Sequence, residues 1–351
     1  MILERNATEH LTGLTLEGGW TVTQKLAPMP GATGSTFSVG YIVRNVDGAS
    51  AFLKAFDFTR TVLRADDRLR EMQRALAAYN YERDVLSKCS DRRLSHVATA
   101  VAEGSIKVPD CGLLDEVHYL IFDLASGDVR AELSAPVSVV WKLRALHEVA
   151  VGLTQLHGVG IAHQDIKASN VLTFPTSHRR LGDLGRACDR ASPAPHDDDH
   201  VAGDPAYAPP ELLYRETPAD WHSRRMGCDA YLLGSLVYFF FTTASLTEAM
   251  LSKTYSGYHH VVWDGTFSTV LPFLISAFDD VITDFKGILL ASGLPVPLAT
   301  KLVQIVRQLA FPDPSHRGHP SIGGVLAGRF RLDRYVTELD LLARRAALVK
   351  I

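Results

Sequence analysis

Strand-like patterns occupy the first third of the chain, and helical patterns dominate the rest. β-rich runs lie between residues 20 and 60, a long helical pattern follows at 64–89, and two further strand-like runs come after it. Beyond them apolar residues recur every three to four positions, the period of a helix. The pattern predicts an α+β, two-lobed fold: a small β-rich lobe with one long helix (18–124) and a larger, mainly helical lobe (125–330). An amphipathic helix at 331–351 should pack on the larger lobe or mediate self-association.

Composition and charge narrow the range of partners. With 46% hydrophobic residues and a formal net charge of −3, the chain gives no electrostatic reason to expect nucleic acid or a membrane surface as a partner. The most apolar run, 231–246, is too short for a membrane span and predicts a buried helix. The N-terminus lacks the pattern of a signal peptide, so we expect a cytoplasmic protein. The oligomeric state is left open.

The cysteines are far apart in the sequence and form no CxxC pair, which argues against a disulfide framework or a zinc site. Free thiols are therefore expected at Cys89, Cys111, Cys188 and Cys228.

A polar loop is predicted at residues 162–172, which read AHQDIKASNVL. Asp165 comes two residues after His163, and it is followed by Lys167 and Asn170. A second aspartate, in LGDLGRA, lies 18 residues beyond Asp165. Either segment alone could be a turn, but their order and spacing argue against coincidence.

These segments, together with others in the same order, resemble the eukaryotic-type (Hanks-type) serine/threonine protein kinase family over residues 20–330. The resemblance implies ATP and Mg²⁺ as cofactors and a protein as substrate. The other matching segments are AFLK (51–54), NYERDVL (80–86), YLIFDLASGDV (119–129), GDPAYAPPELL (203–213), CDAYLLGSL (228–236) and FPDPSHRGHP (311–320).

The resemblance assigns the catalytic and metal-binding residues. Asp165 would accept or orient the proton of the substrate hydroxyl, and Lys167 would neutralise charge on the γ-phosphate. Asn170 and Asp183 would bind Mg²⁺. Lys167 favours a Ser/Thr acceptor in a protein, because related small-molecule phosphotransferases commonly lack a lysine at this position.

The resemblance also assigns nucleotide-binding residues. Lys54 would hold the α- and β-phosphates, with Glu82 as its acidic partner and Glu71 as the alternative. Phe122 would be the gatekeeper beside the adenine. Main-chain groups of two residues after it would bond the adenine edge, namely Asp123 and Ala125.

The glycine-rich loop, PGATGSTFSVGY (30–41), departs from the family spacing. If Val39 lies over the adenine, only Gly34 falls on a motif glycine. Phe37 then stands at another glycine position, where its ring could fold over the γ-phosphate.

Three residues are expected to support the site without touching ATP. Asp229 would cap the central helix of the larger lobe and hold the catalytic loop, residues 162–172. Arg317 would form a buried ion pair with Glu211.

Several positions depart from the family pattern or remain open. Gln164 replaces the arginine that pairs with a phosphorylated residue in many relatives, which makes the chain a non-RD variant. Asp204 stands where a threonine is usual, and it either pairs with Lys167 or faces solvent. The acidic run 196–200, HDDDH, is a solvated face or a substrate contact rather than a metal site. Residues 247–300 form a longer helical region, expected to serve partners or substrates.

The resemblance favours an active serine/threonine kinase that does not need phosphorylation of its activation segment, residues 183–211. Two alternatives stay open. Gln164, Asp204 and the irregular glycine loop are compatible with a pseudokinase that binds nucleotide or acts as a scaffold. A small-molecule phosphotransferase is the other alternative.

Overall fold

The computed structural model describes residues 5–27, 38–175, 178–320 and 326–349. The chain divides into two compact units, residues 1–93 with 98–126 and residues 94–97 with 127–351. The first unit carries the main β-sheet, and the second is mainly helical. This confirms the predicted α+β class and the small β-rich and larger helical lobes.

A five-stranded antiparallel sheet forms the body of the first unit, with strand order β1-β2-β3-β5-β4. Two helices follow the third strand, and each begins at an aspartate whose carboxylate accepts a main-chain hydrogen bond from the first turn. The elements are β1 (Thr21–Lys25), β2 (Ser38–Arg44), β3 (Ser50–Phe56), α1 (Phe58–Arg64), α2 (Arg68–Asp91), β4 (Ala100–Lys107) and β5 (Glu116–Asp123).

The segment before β1 covers one face of this sheet. Leu11 and Leu16 are buried against strand residues that include Tyr41, and the Tyr41 hydroxyl donates to the carbonyl of Thr8 at 2.6 Å. The first unit therefore includes residues that precede the predicted boundary at 18.

Helices form most of the second unit, around a central helix that is buried along nearly all of its length. Its sequence, GCDAYLLGSLVYFFFT, is apolar on every side, as expected for a helix surrounded by others. The helices are α3 (Val129–Glu132), α4 (Val139–Gly158), α5 (Pro210–Leu213), α6 (Gly227–Thr242), α7 (Leu246–Lys253), α8 (Phe267–Ala291), α9 (Val296–Leu309), α10 (Leu326–Arg329) and α11 (Asp333–Leu348).

Short strand pairs in the second unit fix the ends of the polar loops. One three-stranded sheet has the order β6-β8-β9, and β7 pairs with β10. The loop that contains Asp165 runs from β7 to β8, and Asp183 follows β9 by two residues. The strands are β6 (Gly127–Asp128), β7 (Ile161–Ala162), β8 (Val171–Thr173), β9 (Arg179–Leu181) and β10 (Cys188–Asp189).

The C-terminal helix α11 packs against α4 of the same unit. Nδ1 of His147 lies 3.0 Å from the carbonyl oxygen of Val336, and Tyr335 donates to Gln308 at 3.2 Å. Of the two expected alternatives for this helix, the structure shows packing on the larger unit.

The apolar run 231–246 lies mostly in α6 and is a buried helix, as predicted. Among the described residues, no single helix combines the length and hydropathy of a membrane span. The segments His222–Thr242 and Leu246–Lys253 reach that level only as a pair, and they are bent by 86°.

Residues 247–300 contain most of α7, all of α8 and the start of α9. In the connection between α7 and α8, the ring of Tyr258 lies 5.2 Å from Trp263 and 4.5 Å from Phe273, centroid to centroid. The predicted role of this region in binding partners stays a prediction.

All four cysteines are buried free thiols. Burial raises the pKa of Cys188 to about 12, so this thiol is protonated at neutral pH.

Candidate active site

An ion pair joins β3 to α2 in the β-rich unit. Nζ of Lys54 lies 2.7 and 3.0 Å from the two carboxylate oxygens of Glu82. Glu82 is 4% exposed and lies on the buried side of α2. Glu71, the alternative partner, lies three helical turns earlier in the first turn of α2. The structure thus contains the predicted pairing.

Three aromatic side chains share the sheet face of Lys54: Phe52, Phe122 and Phe56, whose ring centroid lies 5.3 Å from Nζ of Lys54. Phe52 is two residues before Lys54 on β3 and is paired with Phe122 on β5, and their ring centroids are 6.4 Å apart. Gly40 pairs with Lys54 across β2 and β3. A Cβ at Gly40 would come within 2.9 Å of the Phe52 ring, so this ring covers the glycine. The gatekeeper candidate Phe122 therefore has an aromatic neighbour that sequence reasoning did not identify.

Val39 lies on the opposite face of the same sheet. It pairs with Ala55, and successive residues of a strand point to opposite faces. Its side chain is buried with Tyr41 in the core beneath the N-terminal segment. The strand register therefore contradicts the prediction that Val39 covers the adenine beside Lys54, because an offset of one residue reverses the face.

Two other predicted residues of the glycine-rich loop, Gly34 and Phe37, lie outside the described residues. At the far end of the sheet, Asp123 is the last residue of β5 and pairs with Ala51, and Ala125 follows it by two positions. Their main-chain contacts to adenine stay a prediction.

The loop between β7 and β8 brings Asp165, Lys167 and Asn170 together. Nδ2 of Asn170 donates to the carbonyl of Asp165 at 2.8 Å and to its Oδ2 at 3.0 Å. Nζ of Lys167 lies 3.1 Å from the same Oδ2. All three residues are at most 8% exposed. The loop thus holds one carboxylate between an amide and an ammonium group.

Asp204 extends this cluster. Its main-chain N–H donates to Oδ1 of Asp165 at 2.9 Å, and its Oδ2 lies 3.3 Å from Nζ of Lys167. Of the two alternatives for Asp204, the structure shows the contact with Lys167. Burial acts to lower the pKa of Lys167, but the carboxylates of Asp165 and Asp204 outweigh it and the pKa lies above its usual value. Lys167 is therefore a cation at neutral pH.

Gly203 allows the chain to approach the catalytic loop this closely. A Cβ on Gly203 would lie 2.4 Å from the carbonyl oxygen of Gln164 and 2.8 Å from Oδ1 of Asp165. Any other residue would push the segment away and lengthen the hydrogen bond from Asp204 to Asp165.

Asp183 follows β9 in a left-handed conformation, with φ of 59°. Leu184 is fully buried and anchors the turn, while the Asp183 side chain is exposed. The carbonyl of Gly182 lies 3.1 Å from Nε2 of His163, which ties this turn to the catalytic loop.

The side chains of Asn170 and Asp183 fit Mg²⁺ as ligands. Mg²⁺ takes oxygen ligands and is commonly held by one or two protein groups together with substrate phosphates. The amide nitrogen of Asn170 bonds Asp165, so its amide oxygen points away from that carboxylate. Within the described residues, no group of three or more His, Cys, Asp or Glu side chains could hold a metal ion.

Two predicted supporting contacts lie within the helical unit. The carboxylate of Asp229, at the start of α6, accepts from the main-chain N–H groups of His163 and Gln164, both at 2.8 Å. Arg317 donates from both Nη atoms to the two oxygens of Glu211, at 2.6 and 2.7 Å. The Arg317–Glu211 pair and the contact of Asp229 with the loop are those that the sequence predicts. The prediction that Asp229 caps the central helix is wrong, because α6 begins after Met226 without a side-chain cap and the Asp229 carboxylate bonds the loop instead.

The acidic run HDDDH is partly a structural element. His196 is buried and its Nε2 lies 2.9 Å from the carbonyl of Arg186, and burial lowers the pKa of this imidazole. Asp197 contacts Arg225, whereas Asp198 is exposed. The expectation of a solvated face therefore holds for Asp198 but not for His196.

The family model for the protein kinase domain matches residues 63–317, more than two thirds of the chain. The chain belongs to the protein kinase family. The resemblance drawn from its motifs is thus confirmed.

Curated relatives match this kinase over shorter segments. The chain is 36% identical over 90 residues to G protein-coupled receptor kinase 2 of Caenorhabditis elegans. It is 29% identical over 126 residues to the probable serine/threonine-protein kinase pknA2 of Bifidobacterium longum, and 33% identical over 124 residues to the serine/threonine-protein kinase PLK4 of Drosophila ananassae. The matches cover 24%, 35% and 33% of this chain and 12%, 17% and 16% of the relatives. The kinase therefore shares only a part of each relative's length.

Sequence reasoning assigned no role to Arg225 in this kinase. Arg225 is 2% exposed, and its Nη1 lies 3.4 Å from Oε1 of Gln164. The available signal was a basic residue four positions before Asp229. That spacing does not reveal its partners, because they come from distant parts of the chain.

Proposed function

We propose that this kinase is an ATP- and Mg²⁺-dependent serine/threonine protein kinase that transfers the γ-phosphate to a protein hydroxyl. The observation that carries the proposal is the buried trio of Asp165, Lys167 and Asn170. A carboxylate 3.1 Å from a cation can take the proton of a hydroxyl while the cation balances phosphoryl charge.

In the proposed reaction, the hydroxyl oxygen attacks the γ-phosphorus and the bond from this phosphorus to the β,γ-bridging oxygen breaks. ADP leaves, and the hydroxyl proton passes to the carboxylate of Asp165. Asn170 and Lys167 fix that carboxylate, and Lys167 stabilises the phosphoryl group as its charge spreads. Mg²⁺ bound by Asn170 and Asp183 would neutralise phosphate charge.

On the β-rich unit, Lys54 would bind the α- and β-phosphates. Its ion pair with Glu82 supports this role, because the pair directs the ammonium group. Phe122 would border the adenine, and Phe52 would narrow the same space because the two rings are neighbours.

A Ser/Thr protein acceptor is favoured by Lys167 and by the names of two relatives, which are serine/threonine-protein kinases. Gln164 supports activity without phosphorylation of the activation segment. An amide cannot form the charge-assisted pair with a phosphate that an arginine forms.

The test is phosphate transfer from γ-labelled ATP by the purified protein, alone and with a basic acceptor such as histone. We expect label in protein, on Ser or Thr by mass spectrometry. Asp165→Ala and Asp183→Ala should each lower the rate by at least about 10²-fold, since each removes a group used in the transition state. Asp264→Ala is the matched control, because Asp264 is an exposed aspartate of the same unit.

Other outcomes would assign the protein to one of the alternatives. Nucleotide binding without transfer of label would indicate a pseudokinase. Label appearing in a small molecule from a cell extract, but not in protein, would indicate a small-molecule phosphotransferase. Turnover by Asp183→Ala equal to that of the unmodified protein would refute its metal-binding role.

A further inference from the structure

Arg225 connects the activation segment to the start of α6. It lies in the π-helical turn His222–Met226, which runs directly into α6. Its Nη2 is 2.7 Å from Oδ1 of Asp197 and 3.3 Å from the Asp197 carbonyl oxygen. The side chain of Arg225 is 3% exposed and that of Asp197 is 37% exposed. The pair therefore places a buried guanidinium beside a carboxylate at the edge of solvent.

The same guanidinium reaches the catalytic loop. Nη1 of Arg225 donates to Oε1 of Gln164 at 3.4 Å, and Nε2 of Gln164 donates back to the Arg225 carbonyl at 2.8 Å. Gln164 also donates to Oδ1 of Asp229 at 3.1 Å. Arg225 thus bonds the activation segment on one side and the residue next to Asp165 on the other.

Further contacts hold Asp197 in place. Its Oδ2 accepts from the N–H of Ala194 at 2.7 Å, and its carbonyl accepts from the guanidinium of Arg224. One carboxylate oxygen therefore bonds Arg225 while the other orders the segment's own main chain. These two contacts hold the Asp197 carboxylate in one orientation, whereas the carboxylate of a solvated surface aspartate can rotate.

A buried guanidinium is stable only beside an anion or several acceptors. Where the catalytic loop carries an arginine, that anion can be a phosphate added to the activation segment. Here the loop carries the neutral Gln164, the guanidinium comes from Arg225, and the carboxylate of Asp197 is part of the unmodified chain.

We infer that Asp197, Arg225 and Gln164 form a fixed-charge anchor that holds the activation segment on the catalytic loop without phosphorylation. They are positioning residues, and their effect on turnover rests on the proposed kinase function. The link to the reacting group is short, because Asp197 is seven residues before Asp204, whose N–H bonds Oδ1 of Asp165. Loss of the anchor would let this segment move and would weaken the orientation of the Asp165 carboxylate.

The test compares Asp197→Asn with Asp198→Asn. Both remove one negative charge, but Asp198 is exposed, and only the first change removes the carboxylate that contacts Arg225. Two quantities are measured: phosphate transfer from ATP to histone, and hydrogen exchange of residues 188–204 followed by mass spectrometry. A thermal melt of each variant checks that it is folded.

We expect Asp197→Asn to lower kcat by about tenfold, the scale of one charge-assisted hydrogen bond, with a smaller change in KM for ATP. Exchange in residues 188–204 should become at least about threefold faster, because the segment opens more often. Asp197→Glu retains the charge and should recover most of the activity. Asp198→Asn should match the unmodified protein in both measurements.

Equal kcat and equal exchange for Asp197→Asn and Asp198→Asn would overturn the anchor while leaving the kinase function intact. If the unmodified protein transfers no phosphate, the proposed function fails, and the exchange measurement alone decides on the anchor. In that case faster exchange in Asp197→Asn alone still supports it, and equal exchange rejects it.

Discussion

Each unit of this kinase contains an ion pair between a glutamate and a basic residue far away in the sequence. Lys54 and Glu82, in the β-rich unit, are 28 residues apart. Arg317 and Glu211, in the helical unit, are 106 residues apart. The two pairs differ in burial: side-chain exposure is 18% and 5% in the first, but 0% and 2% in the second.

This difference in burial corresponds to a difference in chemistry. Arg317 bonds Glu211 through two parallel contacts, donates to the carbonyl of Phe311 at 3.0 Å, and lies 5.0 Å from the ring centroid of Tyr231. The fork of a guanidinium suits such a permanent arrangement. Lys54 presents a single ammonium group that remains partly accessible, so a phosphate can be added to its contacts. The same pairing of charges therefore supports the fold in one unit and the proposed nucleotide site in the other.

The largest expected effect is on stability. Arg317→Leu should lower the free energy of unfolding by about 3–5 kcal/mol, because Glu211 is left as an uncompensated buried charge. Arg307→Leu removes an exposed pair with Asp279, with side chains 45% and 49% exposed, and is the control. It should cost no more than about 1 kcal/mol. Urea unfolding measures both. Similar losses in the two variants would contradict the structural role of the buried pair.

The next effect is on catalysis, with little expected change in stability. Lys54→Met should lower kcat/KM for ATP by at least about 10²-fold, because the ammonium group proposed to bind the phosphates is lost. Lys107→Met is the control, since Lys107 is exposed on the same sheet. The Lys54 variant should remain folded, with a thermal midpoint near that of the unmodified protein. A variant that unfolds would show that the Lys54 pair supports the fold, as the Arg317 pair does. An unchanged kcat/KM in a folded variant would contradict the role of Lys54 in binding ATP.

The smallest expected effect concerns phosphorylation. Phosphatase treatment of the purified kinase should change its rate by less than about twofold, because no added phosphate is needed to pair with a loop arginine. Mass spectrometry before and after treatment shows whether any phosphate was present and removed. A near-complete loss of activity after removal would show that the activation segment is regulated by phosphate despite Gln164.

The sequence predicts best those residues whose type and spacing the chemistry dictates. The apolar neighbours of Glu82 in NYERDVL predict an inward face for this residue, and its contact with Lys54 follows from that face. Two motifs that lie 106 residues apart predict the pairing of Arg317 with Glu211. In these cases each partner lies in a motif that can be recognised from the sequence.

Other features depend on pairings that no local pattern reveals. Alternation along β2 shows that Val39 and Gly40 face opposite ways, but only the register with β3 shows which one lies beside Lys54. Arg225 is 28 residues from Asp197, and neither belongs to a motif that names the other. The buried leucines of the N-terminal segment are isolated in sequence and show no period of helix or strand.

That N-terminal segment matters for how the protein is produced. The family match begins at residue 63, and the motif pattern places the lobe boundary at 18, yet Leu11 and Leu16 lie against the sheet as part of its core. A gene shortened to begin at residue 18 would yield a sheet with an apolar face open to water, and such faces promote aggregation. A gene that begins at residue 63 would also lack the strands β1, β2 and β3. The starting residue chosen for expression would then decide between soluble enzyme and inclusion bodies, whatever the state of the catalytic residues.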